Sequence, residues 1–177
     1  MRLETERLVL RVPRLEDAPA LLDFVGDPEV MRRIGSEPGG LPVATEHVER
    51  WIMRWETNGI GPYVVVLKSS GQVLGRVGLL VWNARTWETS SLAEAGDDAT
   101  VELGWALGRA HWGAGYATEA ARTVRESAYE TQRLERLISL IDPENARSVR
   151  VAVKLGAEPT ETVRTPGGLA TIWVHPR

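Results

Sequence analysis

The chain has no cysteine. That removes a disulfide framework, a thiolate nucleophile and any cysteine-ligated metal, and it fits a reducing compartment. No apolar segment approaches the ~18 residues a membrane span needs. The first residues, Met1 to Glu6, are interrupted by Arg2, Glu4 and Glu6 and contain no apolar run of secretory type. A cytoplasmic protein without a membrane partner is expected. Positive charge is not in surplus. Against 24 Asp and Glu stand 21 Lys and Arg, for a net charge of −3 with no basic block. This excludes the phosphate-backbone footprint of a nucleic-acid binder. Histidine is scarce, and His47, His111 and His175 have no close partner at metal-ligand spacing, so no metal is expected. Phenylalanine occurs once against seven tryptophans. Their large amphipathic rings suit core and interface positions.

What is present suffices for a real core. The 177 residues are 43% hydrophobic, with no internal repeat and no linker, and one domain spanning 1–177 is expected. Arg7 to Val12 alternates as a strand does, and Pro13 ends it. Leu15 to Phe24 has helical spacing with Glu16 and Asp17 in its first turn. A short helix after Asp27-Pro28, a loop from Ser36 to Pro42 and a helix from Val43 to Glu56 follow, the last closed by Asn58-Gly59. Tyr63–Leu67 and Val73–Trp82 read as a hairpin around Ser69-Ser70-Gly71. Asn83 to Ala99 is polar and acidic and reads as a loop. Strand 101–107, helix 116–131 and strand 137–141 form a βαβ unit, which implies a parallel pair with a right-handed crossover. A helix from Asn145 to Leu155, ended by Gly156, precedes two last strands, Thr160–Arg164 and Ala170–Val174. The fold class is α/β, or α+β: a mixed sheet flanked by helices.

The most informative stretch runs from Val101 to Ala121. Gly113 and Gly115 let backbone approach a ligand closely. The helix opening at Tyr116 aims its free N–H groups and positive dipole end over that turn, where a phosphate or pyrophosphate is the usual occupant. On the preceding strand, Glu102, Gly104 and Ala106 share one face and Val101, Leu103, Trp105 and Leu107 the other. A carboxylate followed by two small residues can serve as a proton acceptor beside a ligand groove, or as a surface carboxylate next to a glycine bulge. Asn145 suits a helix cap for the Ser148 amide. Ser148 itself reads as a solvated first-turn serine or a catalytic hydroxyl. Gly113-x-Gly115-x-x-Thr118 also partly imitates a dinucleotide fingerprint. Thr118 stands where Gly or Ala is wanted, however, and no further βαβ units follow.

With these motifs in order, the chain resembles the GCN5-related N-acetyltransferase (GNAT) superfamily. Within it, the chain looks like the branch that includes the ribosomal-protein N-terminal alanine acetyltransferases. The likeness rests on Glu4-Thr5-Glu6-Arg7-Leu8-Val9-Leu10-Arg11 with Leu15-Glu16-Asp17-Ala18, on Val101–Trp105 with His111–Ala120, and on Asn145–Arg150 with Lys154-Leu155-Gly156. The resemblance implies a mostly antiparallel sheet with one parallel pair, about 101–107 and 136–141. It implies acetyl-CoA as co-substrate and a primary amine as acceptor. It places the pyrophosphate on backbone amides from Gly113 through Ala114, Gly115, Tyr116 and Ala117, with Trp112 and Thr118 beside them. The pantetheine arm lies along Leu103, Gly104 and Trp105, touched by Asn145. Glu102 becomes the general base, and Ser148 the acid that protonates the departing thiolate. Three positions depart from the pattern. Ala110 stands where Gln or Arg is usual, leaving Arg109, one place earlier, as the phosphate contact. Ala152 replaces a frequent acid tyrosine, and Ala157 a bulky residue. The acidic 83–99 segment, with Glu37 and Glu46, could attract a cationic amine or be ordinary surface. Trp51, Trp55, Trp82 and Trp173 could line an acceptor pocket or a homodimer contact. A CoA-binding module without turnover and a dinucleotide-binding protein are the alternatives.

Overall fold

The computed structural model describes residues 1–177. Its strands are β1 (Arg2–Glu4), β2 (Leu8–Arg11), β3 (Pro62–Leu67), β4 (Val73–Asn83), β5 (Ala99–Leu107), β6 (Ile138–Ile141), β7 (Glu158–Thr165) and β8 (Gly168–Val174). They form one sheet in the order β1-β2-β3-β4-β5-β6-β8-β7. Every neighbouring pair is antiparallel except β5 and β6. This is the mixed sheet the βαβ unit implied, and its single parallel pair rules out a doubly wound dinucleotide fold, which needs a mostly parallel sheet.

The helices are α1 (Leu22–Val25), α2 (Pro28–Arg33), α3 (Leu41–Asn58), α4 (Leu92–Ala95), α5 (Tyr116–Glu130) and α6 (Ala146–Lys154). In α3, Ala44, Val48 and Trp51 are buried, and Gly59 ends the helix in the left-handed conformation. These side chains join Phe24, Val30 and Met31 on one face of the sheet. On the other face, Ala120, Ala121, Val124 and Ala128 of α5 pack on Val101, Leu103 and Leu107 of β5. Small side chains on that stripe let the helix axis sit close to the strand. Burying Leu103, which is fully enclosed, contributes roughly 1.5–3 kcal/mol.

Three segments differ from expectation. β1 escaped the pattern because three residues are too few to show a period. Leu15–Leu21 is a 3-10 turn rather than the start of an α-helix, with Pro19 inside it. The segment expected to be a loop at 83–99 is largely built. The Asn83 amide donates to Glu88, and the Ser90 amide to Val81. Ser91 and Glu94 form a reciprocal capping box at α4. Asp98 pairs with Arg85 at 2.8 Å. Two of the four acidic residues there, Glu94 and Asp98, serve a local cap and an ion pair. No helix of the chain is long and apolar enough to cross a membrane.

Candidate active site

The site originates where two strands part. β5 and β6 share only the register pair Glu102 and Ile138. Beyond it β6 remains with β8 while β5 continues to Leu107 paired with β4 only, its other edge left open. On this exposed edge the Leu103 carbonyl accepts the Ser139 hydroxyl at 2.6 Å, and the Leu107 carbonyl accepts the Trp112 indole N–H at 2.7 Å. Main-chain groups alternate along a strand. Trp105, midway between these two, therefore turns its own N–H to the same edge. Ser139 is fixed in turn by His175 Nε2 at 2.8 Å. Burial, and to a lesser extent Arg125, depress the His175 pKa to about 4, so the ring is neutral.

A cleft of about 680 Å³ occupies this opening. It is bordered by Glu102, Leu103, Gly104 and Trp105 from β5, by Trp112, Gly113, Gly115, Tyr116, Ala117 and Thr118 from the turn and α5, and by Asn145 and Ser148 from α6. Thus the βαβ unit and α6, far apart in sequence, converge on one space. Of the catalytic and CoA-contact residues the resemblance implied, Arg109 and Ala114 do not border it; of the four tryptophans singled out for an acceptor pocket, Trp51 and Trp82 do and Trp55 and Trp173 do not. Arg109 turns to Asp27, at 2.7 Å, whose other task is to cap α2. Ala114 has its carbonyl bound by Arg7 at 3.0 Å.

At the cleft's glycine turn, Gly113 (φ 81°) and Gly115 (φ 83°) both adopt the left-handed conformation, which L side chains enter at a cost of about 1–2 kcal/mol. None of the amide N–H groups of residues 113–118 donates to a backbone carbonyl, because the first α5 bond is that of Glu119 to Gly115. A Cβ placed on Gly113 meets nothing within 4 Å. Open space over a row of free amides at a helix N-terminus is an anion cradle. The turn is braced by Arg7, which stacks on Tyr116 at 4.5 Å and pairs with Glu119 at 2.6 Å. Arg147, stacked on Trp112 at 4.6 Å, borders the cleft where Arg109 does not. In α6, Asn145 Oδ1 accepts the Ser148 amide at 3.2 Å, as its capping role required.

Glu102 is 8% exposed and accepts the Trp82 indole N–H at 2.6 Å. Burial lifts its pKa above the ordinary carboxylate range, against the opposing pull of Arg76, Trp82, the Leu140 amide and Arg54. Gly104 has room beside it, but that room is used: a Cβ there would lie 3.3 Å from Arg76 Nη1 and 3.4 Å from Glu102 Oε1. The small face of β5 therefore holds a guanidinium and a carboxyl group, and the open volume for a long ligand lies at the β5 edge. Arg76 and Arg54 were missed in the sequence. One signal existed, since Arg76 is the only charged residue in the otherwise apolar run 73–82. The tryptophans divide: Trp51 belongs to the core, Trp55 donates to the Pro62 carbonyl at 2.7 Å, and Trp82 binds the carboxyl group of Glu102.

Comparison with known proteins agrees with this geometry. The family described as Acetyltransferase (GNAT) domain matches residues 7–158. An N-acetyltransferase of Bacillus licheniformis, p20, is 27% identical over 150 residues, covering 84% of this chain and 78% of that protein. The structure of an acetyltransferase from Agrobacterium tumefaciens superposes with a TM-score of 0.79 at 29% identity, covering 100% of this chain and 95% of that one. The ribosomal-protein-S5-alanine acetyltransferase from Vibrio fischeri shares the fold, with a TM-score of 0.71 at 15% identity over 98% and 95% of the two chains.

Proposed function

The chain belongs to the GNAT acetyltransferase family, an acyl-CoA-dependent class of enzyme, and from that premise we propose that residues 1–177 act as one domain that transfers an acetyl group from acetyl-CoA to a primary amine by direct attack. The observation that carries this reading is the row of unclaimed amides at residues 113–118, opening into the cleft that contains Glu102. The residues present fit the co-substrate. The free N–H groups and the two left-handed glycines suit a diphosphate, Arg147 adds a positive charge at the rim, and the open β5 edge offers main-chain partners to an amide-bearing arm.

Acetyl-CoA supplies an activated thioester carbonyl. The chain's own groups do the rest. Trp105 N–H points along the open edge and would donate to the carbonyl oxygen as negative charge gathers there, an oxyanion-type contribution. Glu102 takes a proton from the ammonium form of the acceptor, directly or through a water. Its raised pKa makes it a stronger base than an ordinary carboxylate. As the new N–C bond forms and the C–S bond breaks, Ser148, in the first turn of α6, gives its hydroxyl proton to the leaving sulfur and is reprotonated by the second proton that the attacking nitrogen sheds. Asn145 holds that turn in place through its cap. Holding both substrates in one cleft supplies up to ~7–11 kcal/mol in ideal cases, whereas acid–base help is worth about 10²–10⁴-fold.

The test is release of free thiol from acetyl-CoA over a broad panel of primary amines, with product mass measured. Acetylated amine appearing in step with thiol supports the reading. Tight CoA binding with no acceptor turned over would leave only the binding-module alternative.

A further inference from the structure

The floor of the cleft carries more positive charge than its one carboxylate, Glu102, can offset. Arg54 from α3 and Arg76 from β4 both border the cleft, and neither forms an ion pair with any carboxylate. Nη1 of Arg76 is fully buried and has no hydrogen-bond partner. The nearest acid, Glu102, gives its carboxyl group to Trp82 instead. A third cation on the same helix, Arg50, pairs with Glu46 at 2.9 Å and also donates to His47 Nδ1 at 3.1 Å. His47 brings no charge, because burial and the three neighbouring guanidinium groups depress its pKa to about 4. Burial and Arg76 likewise draw Arg54 down to about 10, short of neutralising it. Two guanidinium groups thus face one carboxylate in a recess of low dielectric.

An unpaired buried charge is one of the more expensive features a fold can retain. A planar guanidinium fork is shaped to bind a carboxylate through two hydrogen bonds. The recess adjoins the carboxyl group assigned to deprotonate the amine, on the face of β5 opposite α5 and separate from the 113–118 turn. Of the acidic side chains that could have drawn a polycation, Glu94 serves a cap, Asp98 pairs with Arg85 and Glu46 with Arg50, and Glu37, Glu88 and Asp97 do not border the cleft.

We infer that the acceptor is an amine bearing a carboxylate, of the amino-acid type, whose carboxylate seats between Arg54 and Arg76 while its amine faces Glu102. The inference rests on the acyl-transfer reading above and names the acceptor class of that same site. It excludes polycationic amines, which would add positive charge to a recess already in excess of it.

The experiment uses the full chain with acetyl-CoA and matched acceptors: glycine, alanine, leucine and phenylalanine, each against the amine lacking its carboxylate (methylamine, ethylamine, 3-methylbutylamine and 2-phenylethylamine) and against its amide. The amides are less basic than the amino acids, so basicity cannot mimic a carboxylate preference. For at least one set, kcat/KM is expected to favour the amino acid by about 10- to 100-fold, the reach of hydrogen bonds to a charged group. Arg54→Gln is expected to collapse that ratio, and Arg54→Lys to restore part of it, with the KM for acetyl-CoA unchanged. Equal or better turnover of the decarboxylated amines overturns the inference while leaving acyl transfer standing. So does an Arg54→Gln variant that loses CoA affinity while keeping the ratio. A second arm needs no turnover: calorimetric binding of N-acetylleucine against N-(3-methylbutyl)acetamide to the CoA complex. If no amine is acetylated, the acyl-transfer reading fails, and this arm still decides the anion site. Tighter binding of the carboxylate, lost in Arg54→Gln, supports it, and equal binding overturns it.

Discussion

Glu102→Gln is the substitution that tests the chemistry most directly. Glutamine keeps the shape of the side chain and can still accept the Trp82 indole N–H through its amide oxygen, so it removes little but the charge and the proton-accepting ability. Its effect on stability follows from the direction of the pKa. Charging Glu102 inside the fold is uphill relative to water, because burial outweighs Arg76, Trp82, Leu140 and Arg54 together. A neutral isostere escapes that burden, so the variant should melt no lower than the parent near neutral pH. The lost attraction to Arg76 is already contained in that balance. The rate should fall by about 10²–10⁴-fold, or roughly 3–5 kcal/mol, the range for removal of a general base. Initial rates of thiol release at saturating amine and acetyl-CoA measure this. The KM for acetyl-CoA should not move, and the gap should narrow at high pH, where free amine is abundant without help. A variant whose kcat stays within about tenfold of the parent from acid to alkaline pH, below the span expected of a base, would refute the assignment. So would a loss in kcat accompanied by a matching loss of folding.

Gly115→Ala should raise the KM for acetyl-CoA and lower the melting temperature. Its φ of 83° carries a backbone penalty for alanine of about 1–2 kcal/mol, and the new methyl would lie 3.4 Å from Arg7 Nη2. Unchanged KM and melting temperature would remove the cradle from the argument. Ser148→Ala should lower kcat while sparing CoA affinity, most visibly at high pH, where water is a poor proton donor; an unaltered pH–rate profile would show that the thiolate leaves unaided. Acidification should weaken the fold before the carboxylates titrate. His47 and His175, 6% and 4% exposed, have folded pKa values of about 4, against about 6.5 when unfolded. Each contributes stability that is complete above pH 6.5 and is lost as pH falls toward 4, up to about 3 kcal/mol apiece at 1.36 kcal/mol per unit. Protonation of Glu102 opposes this in part. Melting temperatures flat between pH 7 and 4.5 would contradict it.

The parts of the fold legible in the sequence are those whose local chemistry and tertiary role agree. α3 ends at Gly59 because only a left-handed residue closes it there. α5 begins after Gly115 and shows its packing face as a stripe of alanines. The Asn145 cap could be read because its partner lies three residues away. What escaped depends on residues distant in sequence. That β5 and β6 part after one pair, while β6 stays paired with β8, involves strands far apart in the chain. The order β6-β8-β7 is a matter of topology, on which the sequence is silent. The bracing of the cradle by Arg7, whose partners Ala114 and Glu119 are over a hundred residues away, leaves no periodic trace. Arg109, the nearest cation in sequence to the glycine turn, is taken by Asp27, while Arg147 arrives from α6 to border the cleft. Proximity in sequence was a poor guide to charge in the site.

Glu102 is held between burial, which raises its pKa, and Arg76 and Arg54, which lower it. The other titratable groups near this balance are Arg50, which is already paired, and His47, which is uncharged at working pH. An acceptor carboxylate bridging the two guanidinium groups would cancel their lowering influence and leave burial opposed only by Trp82 and the Leu140 amide. Glu102 would then hold its proton more tightly in the complex than in the free enzyme. Since kcat/KM reports the free enzyme and kcat the complex, the acid limb of kcat should lie at higher pH than that of kcat/KM for an amino-acid acceptor. A bound acceptor carrying extra positive charge would move the limb the other way. The order of the two limbs, measured with leucine and with 3-methylbutylamine on one enzyme preparation, reads the charge of the occupied recess. Coincident limbs for leucine would mean that its carboxylate binds beyond electrostatic reach of Glu102, outside the Arg54–Arg76 pair.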